Sequence, residues 1–210
     1  MLLAFGGLVI YGNLKIKHLD FQSYSNDENV LYYVESIDDQ LKRYPYLKDM
    51  DNDDEIQSYN DLLQYSPNVL QVKINEVNFA GTELINSCQV TKVIKSDTIK
   101  SGDIIDIYSY NYYVSNFGVG YIDGSLPLRV GETYTVFIEQ APNPNVKDAY
   151  IFSSFKYGFF RLGENPRYLV NFNAEIDFTL KDAMSYDYIT IGPDVDIYDR
   201  IYQEINNSNK

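Results

Sequence analysis

The chain of 210 residues contains one cysteine, Cys88, one histidine, His18, and no tryptophan. A single thiol excludes an intramolecular disulfide, and one Cys with one His excludes the common His/Cys zinc sites. A Ser/His/Asp triad would have to use His18, which stands beside Lys15 and Lys17 and reads as a solvated residue rather than a base. The chain has no Gly-rich phosphate loop, G-x-S-x-G elbow or H-E-x-x-H motif. Positive charge is scarce: 17 Lys and Arg stand against 30 Asp and Glu, a net charge of −13. That balance argues against nucleic acid or anionic lipid as the main partner, because both favour a basic face.

What is present describes a folded chain. Hydrophobic residues at 45% and charged residues at 22% are ordinary globular values, so wholesale disorder is not expected. The negative charge is uneven. Residues 1–18 carry two lysines and no acid, and residues 19–65 carry 12 acidic residues against 3 basic. Residues 66–173 are near-neutral, with 10 against 9, and residues 174–210 carry 8 against 3. These shifts divide the chain into an apolar N-terminal segment (1–18), an acidic helical region (19–65), a near-neutral middle (66–173) and an acidic tail (174–210).

Leu2 to Tyr11 is apolar and uncharged, but too short for a membrane span of about 20 residues. Its length is that of a signal-peptide core, and we read it as a targeting or anchor segment; the alternative is a strand or helix packed on the domain. Any membrane association is expected through this segment alone.

Further along, Val30, Val34, Ile37, Leu41 and Tyr44 have helical spacing, predicting an amphipathic helix over 29–44 capped by Asn26 or Asp27 and ended by Pro45. Ile56 to Tyr65 reads as a second short helix. After Pro67 the period falls from 3.6 to 2. Leu70, Val72 and Ile74 share one face, while Val69, Glu76 and Val77 break the alternation and predict a bulge or a locally buried strand end. Strands follow at 83–95, 104–110, 133–139 and 150–157, the last continuing after Gly158, with a short sixth at 168–172. Residues 111–131 read as a long loop. Val195, Tyr198, Ile201, Tyr202 and Ile205 predict a C-terminal amphipathic helix. The expected fold is mainly β (α+β): an OB-like β-barrel of five or six strands flanked by N-terminal and C-terminal helices.

Three segments carry a family resemblance: Leu62 to Ile74, Val90-Thr91-Lys92-Val93-Ile94-Lys95-Ser96 leading into Lys100-Ser101-Gly102-Asp103-Ile104-Ile105, and Leu128-Arg129-Val130-Gly131-Glu132-Thr133-Tyr134-Thr135-Val136-Phe137-Ile138. Their order resembles exported bacterial domains similar to the netrin and tissue-inhibitor-of-metalloproteinase module, an OB-type barrel. The resemblance covers about half the chain and implies the fold. It does not carry metalloproteinase inhibition, because the tissue inhibitors depend on disulfides and a Cys-headed N-terminal segment. Here Cys88 lies in mid-strand, where it reads as a small buried filler.

Two candidate sites stand out. Tyr108, Tyr110, Tyr112, Tyr113, Phe117 and Tyr121 concentrate around one loop, and such rings can form a stacking platform for sugar or peptide; the competing reading is packing beneath the flanking helices. Asp49, Asp51 and Asp53 have the alternate spacing of a calcium loop, but the sixth position is Asp54 rather than Gly and the twelfth is Asn60 rather than Glu. The competing reading there is a solvated acidic loop. Calcium is therefore the one cofactor the sequence raises. The expected function is a non-catalytic, extracytoplasmic interaction module, secreted or membrane-anchored, with a protein or glycan ligand. The alternatives are a hydrolase or hydrolase accessory with its acids in the flanks, and a calcium-dependent surface adhesin.

Overall fold

A computed structural model describes residues 20–43, 48, 53–80, 83–141, 149–163, 165–173, 178–193 and 195–208, with the side chains of Tyr112 and Tyr113 not among them. The N-terminal segment, Asp49, Asp51, Pro45 and the turn at Pro142–Pro144 lie outside the described residues.

Two long strands, β2 (Asn68–Ala80) and β3 (Glu83–Lys95), pair antiparallel, and β3 pairs with β4 (Ile104–Tyr108) across the turn at Gly102. Strand β8 (Ala149–Phe152) lies parallel to β4 and antiparallel to β7 (Thr133–Gln140). β7 then pairs antiparallel with β2 and closes a five-stranded mixed barrel. A three-strand meander, one parallel neighbour and closure by the penultimate strand make this an OB-like topology. A short strand, β9 (Phe159–Arg161), fills the rest of the β7 edge.

The pleat puts Leu70, Val72, Ile74, Leu84, Cys88, Val90, Ile105, Ile107, Val136 and Ile138 inside, all buried. The broken alternation in β2 has two causes. The pairing register slips between Ile74 and Glu76, a bulge that returns Val77 to the interior. Val69 points outward, yet it is buried with Phe137 beneath α3 (Tyr59–Tyr65) and α5 (Asp196–Ser208). Leu62, Tyr198, Ile201, Tyr202 and Ile205 complete this second core. The predicted C-terminal helix is thus present. The predicted helix at 56–65 starts at Tyr59, where the Ser58 hydroxyl accepts from the Asp61 N–H.

Residues 29–44 are not one helix. They form β1 (Leu31–Glu35) and α2 (Ile37–Arg43), preceded by α1 (Phe21–Ser25) with Asp20 as its N-cap and Asn26 at its C-terminus. Tyr32 and Val34 are buried alternately, because β1 lies parallel to β6 (Gly118–Ile122) and the pleat turns every second side chain inward. The predicted loop at 111–131 holds a hairpin, β5 (Asn111–Ser115) and β6 (Gly118–Ile122), so the order β1-β6-β5 makes a second sheet. Its glycines disguise it: a Cβ on Gly118 would stand 2.6 Å from the Tyr33 ring and 2.9 Å from the Leu31 carbonyl. The predicted strand at 150–157 stops at Phe152, since residues 153–158 turn before β9. The sixth strand, β10 (Tyr168–Leu169), pairs with β11 (Tyr188–Ile189) outside the barrel, next to a single-turn helix, α4 (Leu180–Ala183).

Candidate functional site

The four described side chains of the aromatic group, Tyr108, Tyr110, Phe117 and Tyr121, do not form one surface. Tyr121 has no exposure and stacks on Tyr32 at 5.8 Å between ring centres. Tyr110 folds inward onto Phe155 at 4.4 Å, and its hydroxyl donates to the Phe152 carbonyl. Burial raises both phenols well above their ordinary value. Of the sequence-predicted platform, these two are packing residues. Phe117 projects from the hairpin tip with 73% exposure. Tyr108 takes a different place, half-buried on the outer face of β4 opposite the inward Ile107.

Register defines the surroundings of Tyr108. Ile85 on β3 is its direct neighbour on one side and Ile151 on β8 on the other, with Glu139 of β7 beyond Ile151. Directly opposed side chains on one face stand about 5 Å apart at Cβ, so the four make a continuous row. The next row holds Glu76, Ser87 and Asp106, and the one after it Lys73, Gln89 and the exposed Ile104. Ile85, Tyr108 and Ile151 belong to neither core, whereas the outer face of β2 and β7 around Val69 and Phe137 is sealed by helices. Glu139 has no ion pair or hydrogen bond among the described residues, and burial raises its carboxyl above the usual range. The row combines apolar surface, a ring with a hydroxyl, and free acceptors, which suits a ligand with both apolar and hydrogen-bonding parts.

Alternation in the sequence puts Ile85, Ser87 and Gln89 on one side of a strand. It says nothing about Ile151 or Glu139, because only the parallel β4–β8 pairing brings them to Tyr108.

The buried carboxylates are engaged elsewhere. Asp53 accepts from the Ser154 hydroxyl at 2.6 Å and the Lys156 N–H at 3.2 Å. Asp123 accepts from the Ile191 N–H at 2.9 Å, with Lys156 Nζ 3.9 Å away. Asp187 is held by Arg161 and Arg129. Among the described residues no cluster of three or more His, Cys, Asp or Glu has the arrangement of a metal site. Cys88 is fully buried, as its mid-strand position predicts. Among the described residues no helix is long and apolar enough to cross a membrane. No protein-family model and no curated protein matches the chain.

Proposed function

We propose that the chain is a non-catalytic interaction module that works outside the cytoplasmic membrane and holds a protein or glycan ligand on the outer face of its barrel. The observation that carries this reading is the row Ile85–Tyr108–Ile151. It leaves apolar surface outside both cores on the sector of the barrel that α3 and α5 do not seal. Its continuity across three neighbouring strands, beside Glu139 and Asp106, favours binding. The engagement of Asp53, Asp123 and Asp187 in holding loops also supports a binding rather than a hydrolytic role. Within the OB-like class, the order of the three motif segments supports a resemblance to the netrin and metalloproteinase-inhibitor-like module.

The test is a glycan array and a peptide array probed with the wild-type chain and with Tyr108→Ala. The expected result is a ligand bound by the wild type and lost at least tenfold in the variant, with little change in melting temperature. Ligands held equally by both proteins would remove the row from the function, and turnover of an array member would replace the reading with an enzymatic one. Fractionation of the producing cell tests the compartment; a chain found only in the cytoplasm contradicts export.

A further inference from the structure

The face around Tyr108 carries unpaired charge of one sign. Alternation along β3 turns Glu83 outward, two residues before Ile85, and the same two-residue step along β4 separates Asp106 from Tyr108. Glu139 of β7 continues the Tyr108 row beyond Ile151, and Glu76 of β2 faces Ser87 in the Asp106 row. Four carboxylates therefore border the apolar row Ile85–Tyr108–Ile151. Glu76, Glu83 and Asp106 are exposed, and Glu139 is half-buried.

Among the described residues none of the four has an ion pair or a hydrogen bond. Most cations of the barrel are committed elsewhere. Lys95 donates to the Leu63 and Ser66 carbonyls, Arg129 and Arg161 hold Asp187, and Lys156 approaches Asp123. Lys73 shares the outer face, but it stands one row beyond Glu76, beside Gln89, and pairs with none of the four. Residues 66–173 are near-neutral in sum, so placement rather than composition makes the face one-signed.

Spacing narrows what such a face can hold. Glu76 and Asp106 lie two strands apart, with Ser87 between them, at about 10 Å. A divalent ion takes its oxygens at about 2.3–2.6 Å, so it cannot gather carboxylates set this far apart. A neutral glycan would leave the four charges in place, and an acidic glycan would be repelled. An extended peptide carries its charges apart and on flexible stems. Its alternate side chains repeat about every 7 Å, the interval from Tyr108 to Asp106 and from Ile85 to Glu83.

Taking the Tyr108 row as the ligand face, as proposed above, we infer that its ligand is a cationic peptide segment: an apolar or aromatic residue seated on Ile85, Tyr108 and Ile151, with lysine or arginine two residues away on the bordering carboxylates. The apolar contact supplies the seat, and the carboxylates select against neutral and acidic competitors. The net charge of −13 adds attraction at long range, which salt screens, so binding weakens as ionic strength rises.

Panning a random seven-residue peptide library tests it, on the wild type, on Tyr108→Ala and on the triple variant Glu83→Gln/Asp106→Asn/Glu139→Gln. The amides keep the shape of the acids, and melting temperature serves as the folding control. Peptides whose binding Tyr108→Ala removes are expected to be severalfold enriched in lysine and arginine two residues from an apolar or aromatic one. They should bind at least tenfold more weakly at high than at low salt. The triple variant should lose both the enrichment and the salt dependence. Tyr108-dependent peptides without that enrichment, or with one that the triple variant keeps, overturn the cationic ligand and leave the row as the ligand face. A glycan as the only Tyr108-dependent ligand does the same. If nothing bound depends on Tyr108, the row is not a ligand face and the carboxylates select nothing there.

Discussion

Arg161 grips Asp187 with two donors of one guanidinium, Nε to Oδ1 at 2.6 Å and Nη2 to Oδ2 at 3.1 Å. Arg129 Nη2 stands 3.3 Å from the same carboxylate, and the Arg167 N–H donates to it at 2.9 Å. This knot ties the segment before β11 to β9, and so fastens the acidic tail to the barrel. Burial works to raise the Asp187 carboxyl, but the Arg161 hydrogen bonds, the Arg167 amide and the Arg129 charge outweigh it and hold it below the ordinary carboxylate value.

Replacing that carboxylate should therefore be costly and pH-dependent. Asp187→Asn is expected to lose about 3 kcal/mol at pH 7, the low end for a broken buried pair, because Arg161 and Arg129 keep some contact with water. The folded-state value lies below the unfolded one. The ionised group's stabilisation is thus complete above the unfolded value of about 3.9 and fades as pH falls through the folded one. Urea unfolding of both proteins at pH 7 and near pH 3 checks this: the gap between them should narrow in acid. A gap that stays constant would mean that the carboxylate charge is not what Arg161 holds.

Gly118→Ala should destabilise the hairpin sheet without altering the barrel's inner core. Its Cβ would press on the Tyr33 ring at 2.6 Å, which can swing, and on the Leu31 carbonyl at 2.9 Å, which is fixed in the β1–β6 ladder. Overpacking of this kind costs about 1–3 kcal/mol. Thermal unfolding followed by tyrosine fluorescence reads it. A variant as stable as wild type would mean that β1 does not lie against β6 at Leu31.

The contrast between these two sites explains what was legible in the sequence. Strands β2 and β3 are long and pair as a hairpin, and the alternation of β2 holds from Leu70 to Ile74, so local pattern and tertiary structure agree over that stretch. β1 was hidden because Val30, Val34 and Ile37 also fit a helix, and only the distant β6 decides between the two. β6 was hidden in turn because Gly118, where a Cβ would press on the Tyr33 ring, and Gly120 read as loop residues. The aromatic cluster failed as a surface for the same reason. Sequence spacing places Tyr110 and Tyr121 near Tyr108, but the hairpin turns the first two into the core. Asp187 carried no signal at all, since its partners Arg129 and Arg161 lie 58 and 26 positions away.

The short turn Asp53–Glu55 before α3 should owe its position to one carboxylate. Asp53 closes the bend between β8 and β9 through Ser154 and the Lys156 amide, and the Ser154 hydroxyl in turn accepts from the Tyr157 N–H at 2.8 Å. Asp53→Ala leaves these donors unpaired in a buried place, at a cost of about 1–3 kcal/mol. With its oxygens committed in this way, calcium added to the wild type is expected to leave the melting temperature unchanged. A rise that chelator reverses, and that Asp53→Ala abolishes, would instead establish the calcium loop.

Cys88 offers a probe of barrel opening. It lies in β3 between Ile74 of β2 and Ile105 of β4, without exposure, and its thiol donates to the Asn86 carbonyl at 3.3 Å. Burial, with the Asp106 charge adding to it, pushes the thiol up to about 12, so at pH 8 the native thiolate fraction is on the order of 10⁻⁴. No reagent reaches the sulfur until β3 parts from a neighbour, and alkylation in native buffer should therefore follow the opening equilibrium. Asp187→Asn, at about 3 kcal/mol, should then raise the labelling rate on the order of 100-fold if the tail and barrel open as one unit. An unchanged rate in that variant would show that the tail detaches while the barrel stays closed. Rapid labelling of the wild type at pH 8 would contradict the buried position of Cys88 itself.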